Sequence, residues 1–371
     1  MSKTESAIRG LLALAEIEIN GSHDYDIQVN DKAFYQNLLS GGPLGFGETY
    51  MDGQWDCEAL DVLIYKVLRA DLEHSISPLK LLWPVFQAKL FNLQSKKRAF
   101  NIGKHHYDIG NDLYELMLDP RMTYTCGYWK DADNLNDAQE AKLDLVCRKV
   151  GLQPGMRVLD IGCGWGSFAG FAAERYGVEV VGVTVSKEQI ELGKARYSDL
   201  NVDLRFQDYR DVSETFDRII SIGMFEHVGP GNYRTYMKVV ESCLVDDGLF
   251  LLHTIGTNTT RTAVDPWTNK YIFPGGVLPV AEQIEAAASG VFIMEDWHNF
   301  GTHYDHTLMA WMANIDAHRE ELRQLGYDQR FYRMWRYFLL SSAGSDRARR
   351  NQLWQIVYSK KGLDGGYHSI R

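Results

Sequence analysis

The 371-residue chain lacks any run approaching the roughly 18 consecutive apolar residues that a membrane span requires. Its opening, MSKTESAIRG, lacks the long apolar core of a signal peptide. Both absences lead to the expectation of a cytoplasmic protein. Cysteine is scarce: Cys57, Cys126, Cys147, Cys163 and Cys243 are an odd number without C-x-x-C spacing, which argues against a disulfide framework and against structural zinc. Reduced thiols are the simplest account. Basic charge is in deficit, with 39 Lys and Arg against 49 Asp and Glu and a net charge of -10, so general nucleic-acid binding is not expected. There is no internal repeat and no low-complexity tract. What is present, 45% hydrophobic and 24% charged residues, suits a chain that buries one large domain and a smaller one.

The first 95 residues read as a mainly helical domain, with apolar residues at helical spacing in CEALDVLIYKVLRADLE, Cys57 to Glu73. The stretch SGGPLGFGETYMDGQW reads as a Gly-rich turn region. Ser77 to Phe100, crowded with Trp83, Phe86, Leu90 and Phe91 and broken by Pro84, is either an interfacial amphipathic element or a helix packed on its own domain, packing being the default. Two basic stretches, KKR at Lys96 to Arg98 (with Lys80 and Lys89 upstream) and RARR at Arg347 to Arg350, suit anionic lipid headgroups or simply solvated helix faces. A linker is expected at 96–110 and a second domain over 111–371.

From about residue 137 helix and strand alternate. Asn136 or Asp137 can cap a helix whose Leu143, Val146, Cys147 and Val150 share a face, and Gly151 is placed to end it. Short apolar strands follow at MRVLDIG, VEVVGVTVS, VDLRFQD, FDRIISIG, GLFLLHTIG and LWQIVYSKK. This alternation predicts an α/β fold with a doubly wound, mostly parallel sheet. The insert near 257–300 has the character of a substrate-covering segment.

The first of these strands runs into Asp160-x-Gly162-x-Gly164-x-Gly166. Glycines there let a ligand approach the backbone, and the next helix offers free N–H groups. The spacing departs from G-x-G-x-x-G and no GK[ST] accompanies it, which disfavours a dinucleotide or a triphosphate. It is similar to the first motif of class I S-adenosylmethionine-dependent methyltransferases, a Rossmann-like fold of seven strands, which implies that Asp160, Gly162, Cys163, Gly164 and Gly166 line the cofactor. The usual acidic residue after the second strand is replaced by GVTVSKEQ, so the ribose would fall to Gln189 with Thr184; alternatively, Ser186 and Gln189 form a capping box, and both readings can hold. The resemblance further implies Asp208 at the adenine amino group, Tyr209 beside it, and Gly223 at the cofactor's edge.

After the fourth strand, SIGMFEHVGPGNYRTY places Glu226 at the carboxyl end of the sheet, where open α/β folds bind ligands. Together with HHYDIGNDLYELMLDPRMTYTCGYW, FLLHTIG, DPWTNKYIFPGG, MEDWHNFGTHYDHTLMAW and the N-terminal FGETYMDGQWDC, it resembles the cyclopropane-fatty-acid synthase family over nearly the whole chain. The resemblance implies methylene transfer from S-adenosylmethionine to the cis double bond of phospholipid acyl chains, through a carbocation, with bound bicarbonate as base. Glu226, His253 and Tyr304 would hold bicarbonate through side chains, Cys126 and Ile255 through their backbones, with Tyr124 and Thr125 near the cofactor. It also implies peripheral contact with the inner membrane face, and an N-terminal domain used for lipid docking or a homodimer contact. No metal is expected: His303 and His306 have metal-like spacing but no carboxylate cluster of known pattern. Ser342 stands where several relatives carry a cysteine, which would exclude covalent catalysis through that thiol. Rival readings are branching methylation of an acyl chain, methylation of a small amine, and a catalytically silent binding protein.

Overall fold

The computed structural model describes residues 3–72, 110–261 and 263–371. The segment Ser77 to Phe100, the KKR stretch and most of the 96–110 linker lie outside the described residues. Two packing units are interleaved in the chain, where the sequence analysis divides it linearly. One gathers 3–72, 263–274 and 304–351; the other gathers 110–261, 275–303 and 352–371.

The second unit is built on a seven-stranded sheet. Its strands are β1 (Arg157–Ile161), β2 (Glu179–Thr184), β3 (Val202–Phe206), β4 (Phe216–Ile222), β5 (Leu244–Thr257), β6 (Ile293–Asn299) and β7 (Asn351–Ser359). Spatial order is β3-β2-β1-β4-β5-β7-β6. The pairs from β3 through to β5 are parallel, and the β6–β7 pair is antiparallel. Successive residues face opposite sides of a strand, so Leu159, Ile161, Val181 and Ile219 enter one core while Val158, Val180 and Ile220 enter the other. Both faces are covered, as a parallel sheet requires.

The strand β6 is absent from the sequence reading. Its residues IMEDWHN are too polar for a buried-strand signal; at the sheet edge it needs only one partner, β7. The helix before β1 spans Leu135–Lys149 and is capped by Asn134, whose Oδ1 accepts from the Asp137 N–H at 3.0 Å, rather than by Asn136 or Asp137. Gly151 ends that helix at φ 60.

In the other unit the Gly-rich stretch is a turn only at its end, where Asp52 and Gly53 turn the chain before the short strand Trp55–Asp56. Its first part lies within the helix Ala33–Met51, interrupted where Gly42 takes φ 56 and ψ -137, a conformation that favours glycine, and Pro43 restarts the second segment. Gly47 lets Trp267, from the short helix Pro266–Tyr271, pack against this segment, so part of the expected substrate cover contributes a buried side chain to this unit's core. The helix Gln329–Arg347 packs on the helix Leu60–Arg69, and within the RARR stretch Arg349 is exposed while Arg347 and Arg350 are partly buried. Arg347 pairs with Asp61 at 2.7 Å and with Asp305 at 2.8 Å, and Arg350 donates to Asp71 at 2.6 Å. Those two arginines are thus engaged by carboxylates of the protein itself. Gly344 is the closest helix contact, since an added Cβ would fall on the Asp61 carbonyl oxygen. Gly344→Val is expected to destabilise this unit by about 1–3 kcal/mol, read as a lower denaturant midpoint with unchanged slope.

Candidate active site

The glycine turn leaves β1 with Gly162 at φ 82, Gly164 at φ 55 and Gly166 at φ 84. The N–H groups of Gly162 and Cys163 donate to the Val183 carbonyl at 2.9 and 3.2 Å, which pins the turn to β2. Asp160 is buried, and its Oδ2 has no hydrogen-bond partner among the described residues. Burial pushes its carboxyl up to about 7, opposed by the cation of Lys142. Cys163 is buried in the same turn, and its thiol is held well above its ordinary value by burial.

The capping reading of Gln189 is seen in part: Ser186 caps the helix, while the Ser186 N–H goes to the Thr184 hydroxyl at 3.4 Å and not to the Gln189 side chain. Ser186 Oγ accepts the Gln189 N–H at 3.4 Å, capping the helix Lys187–Arg196. The Gln189 side chain is nevertheless turned toward the glycine turn: Oε1 accepts from the Thr184 hydroxyl at 3.2 Å, and Nε2 lies 3.9 Å from where a Gly164 Cβ would be. Asp208 caps the turn Tyr209–Asp211, and both its oxygens accept from the Arg210 guanidinium, at 2.8 and 2.7 Å. Any ligand amine would therefore share this carboxylate with Arg210. Tyr209 packs edge-on to Tyr236, and burial raises its phenol to about 12.

Gly223 follows β4 at φ 66 and its N–H donates to the His253 carbonyl on β5 at 2.9 Å. A Cβ there would lie 2.7 Å from the Thr125 methyl, so the loop carrying Tyr124, Thr125 and Cys126 abuts the strand end. The next turn, Phe225–His227, presents Glu226. Its Oε1 accepts the Ile255 N–H at 2.7 Å, while Oε2 is buried without a hydrogen-bond partner among the described residues. Burial raises this carboxyl to about 7, opposed by that backbone donor. His253 is buried and its Nε2 also has no hydrogen-bond partner among the described residues; burial holds it well below the ordinary imidazole value. Ile255, expected to hold an anion through its backbone, commits its N–H to Glu226 instead. Tyr304 belongs to the other unit, in the first turn of the helix His303–Ala317, edge-on to Trp311 at 6.2 Å.

Three neighbours went unseen in the sequence. Gln139 and Lys142 lie on the buried stripe Leu135, Ala138, Gln139, Lys142, Leu143, Val146, and two polar residues at core spacing were the available signal. Gln139 Nε2 donates to the Thr125 carbonyl and Lys142 Nζ to its hydroxyl, both at 2.7 Å. Burial brings Lys142 down to about 8, against the pull of Asp119, Cys126 and Asp160. Gln355, in the centre of β7, lies with its Nε2 3.2 Å from His253 Nδ1.

The sequence matches the family described as mycolic acid cyclopropane synthetase over residues 94–356. The chain belongs to that family. It is 53% identical to the cyclopropane-fatty-acyl-phospholipid synthase of Escherichia coli (strain K12) over 362 residues, 97% of this chain and 94% of that one. The cyclopropane synthase MmaA2 from Mycobacterium tuberculosis superposes with a TM-score of 0.67 at 32% identity, over 70% of this chain and 98% of that one. The mycolic acid cyclopropane synthase CmaA1, solved with SAH and CTAB, superposes with a TM-score of 0.66 at 33% identity, again over 70% and 98%. The fold is that of the class I methyltransferases, and the chain is an S-adenosylmethionine-dependent methyltransferase. The family match begins at residue 94, so the helices before it are additional to the family's catalytic core.

The raised carboxyl of Glu226 has a defined linkage sign. A folded-state pKa lifted from 4.5 to about 7 means the folded protein holds the proton longer, so this group's contribution to stability is lost as pH rises from 4.5 through 7. Glu226→Gln removes that loss. The variant is expected to match the wild type near pH 4.5 and to exceed it by about 1–3 kcal/mol above pH 7, checked by denaturant melts across that range.

Proposed function

We propose that the protein is a cyclopropane-fatty-acyl-phospholipid synthase that adds a methylene across the cis double bond of unsaturated acyl chains in membrane phospholipids. The 53% identity across nearly the entire E. coli synthase supports the substrate class. The observation that carries the site is the pair of buried, unpartnered atoms, Glu226 Oε2 and His253 Nε2, at the carboxyl ends of adjacent strands. Polar atoms are rarely buried unpaired unless a ligand completes them.

S-adenosylmethionine, when bound, supplies an electrophilic methyl on a sulfonium. The residues present fit it: the positive-φ glycine turn admits a ligand against the backbone, and Gln189, Thr184 and Asp160 offer polar groups around that turn. Transfer of that methyl to the alkene would break the carbon–sulfur bond and leave positive charge on the neighbouring chain carbon, and loss of one proton from the new methyl would close the ring. Bicarbonate, when bound, supplies the base for that proton. The chain's own residues hold such an anion without repelling it, because Glu226 keeps its proton up to about pH 7 and can donate from Oε2. Tyr304 and the Cys126 backbone enter this assignment by resemblance alone. The cluster Tyr114, Tyr124 and Trp165, with ring centroids 5.1 and 4.9 Å apart, adds π faces beside the glycine turn that stabilise positive charge.

Acyl chains of phospholipids reside in bilayers, so the enzyme visits a membrane surface. The residues before 95 are assigned lipid docking or a homodimer contact. Among the described residues no helix is long and apolar enough to cross a membrane.

Mass spectrometry of monounsaturated phospholipid vesicles, incubated with the protein, S-adenosylmethionine and bicarbonate, is expected to show a gain of one CH₂ with loss of the alkene. A CH₂ gain with the alkene retained would instead mean branching methylation. Glu226→Gln is expected to reduce turnover by about 10²-fold or more while the far-UV spectrum stays unchanged; wild-type turnover in that variant would remove Glu226 from the site.

A further inference from the structure

His253 lies on β5, inside the sheet, and β7 runs beside it. Gln355 on β7 is 0% exposed, and its amide nitrogen is 3.2 Å from His253 Nδ1. A primary amide nitrogen donates and cannot accept, so Nδ1 is the acceptor of this pair. A neutral imidazole carries one proton, and with Nδ1 accepting, that proton is on Nε2. The neutral form is the one present, since burial holds His253 well below its ordinary value. The ring of Phe300, edge-on to His253 at 5.8 Å, adds a steric limit on imidazole rotation.

We propose that Gln355 is a positioning residue that locks His253 in the Nε2-protonated tautomer, making its unpartnered ring nitrogen a hydrogen-bond donor toward a bound anion or oxygen. With the opposite tautomer Nε2 would be a lone-pair acceptor, and an anion placed against it would be repelled. The Gln355 amide nitrogen meets His253, while its Oε1 is buried with no hydrogen-bond partner among the described residues. The functional consequence rests on the anion-site reading above; the tautomer itself does not.

The test uses long-range ¹H–¹⁵N correlation spectra of the full chain labelled with ¹⁵N-histidine, with the His253 signals assigned by their loss in His253→Gln. The expected result is an Nε2-protonated neutral ring in the wild type. Gln355→Glu, measured above the pH at which the new carboxyl ionises, is expected to bring a proton onto Nδ1, and where Nε2 loses its own proton turnover falls by roughly 10²-fold with S-adenosylmethionine affinity unchanged. An Nδ1-protonated ring in the wild type overturns the proposal, as does a tautomer that stays the same in both Gln355→Glu and Gln355→Leu. If Nε2 loses its proton in Gln355→Glu while turnover stays at the wild-type level, the tautomer lock stands and the anion-site role of His253 falls. Should either variant fail to fold, the wild-type spectrum decides alone.

Discussion

A carboxyl group held out of water governs the arrangement of the strand ends. Ionised Glu226 in an apolar surround is disfavoured, and a rise from 4.5 to about 7 corresponds to roughly 3 kcal/mol between its two protonation states. The surround is built to keep it there. Phe225, fully buried, stacks on Tyr233 at 4.2 Å and anchors one side of the turn. The Val277 N–H donates to the Glu226 carbonyl at 3.1 Å and the Ile255 N–H to its side chain. Backbone donors therefore fix both ends of the residue, and the side chain has no freedom to reach solvent. His253, placed opposite β4 by the pairing Ile222 with His253, is dried by the same sheet interior.

The parts of this arrangement that depend on local pattern were legible in the sequence. Alternating apolar strands and helices require a covered parallel sheet, and the glycine turn at Gly162 to Gly166 requires backbone conformations that the structure indeed adopts. The position of Glu226 after a strand was legible, but its role and that of His253 came only through the family resemblance, since a histidine inside an apolar strand reads on its own as a core residue. Features set by tertiary partners were not. Arg347 and Arg350 read as a basic patch, and only the fold brings Asp61, Asp305 and Asp71 to them from distant parts of the chain. The polar strand β6 has no periodic signal of its own and exists because β7 offers an edge. Gln355 could be seen only once β7 was placed beside β5, since a glutamine within LWQIVYSKK carries no mark of the histidine it meets about a hundred residues away.

The interior also limits its own charge. Asp160 and Lys142 are both buried, and burial draws each toward its neutral form while each opposes that shift in the other. Thr125 ties this pair to the loop beside Gly223, because its hydroxyl accepts from Lys142 and its methyl closes on the Gly223 backbone. Together with Glu226 raised to about 7 and His253 held well below its ordinary value, these are four buried groups whose charged forms burial disfavours. In such a region a newly formed positive charge is not screened by water, so its stabilisation falls to oriented dipoles, aromatic faces and the ionisation of a nearby acid. The two kinds of carboxylate differ in their surroundings: burial raises Asp160 and Glu226 to about 7, whereas Asp208 has both oxygens engaged by the Arg210 guanidinium.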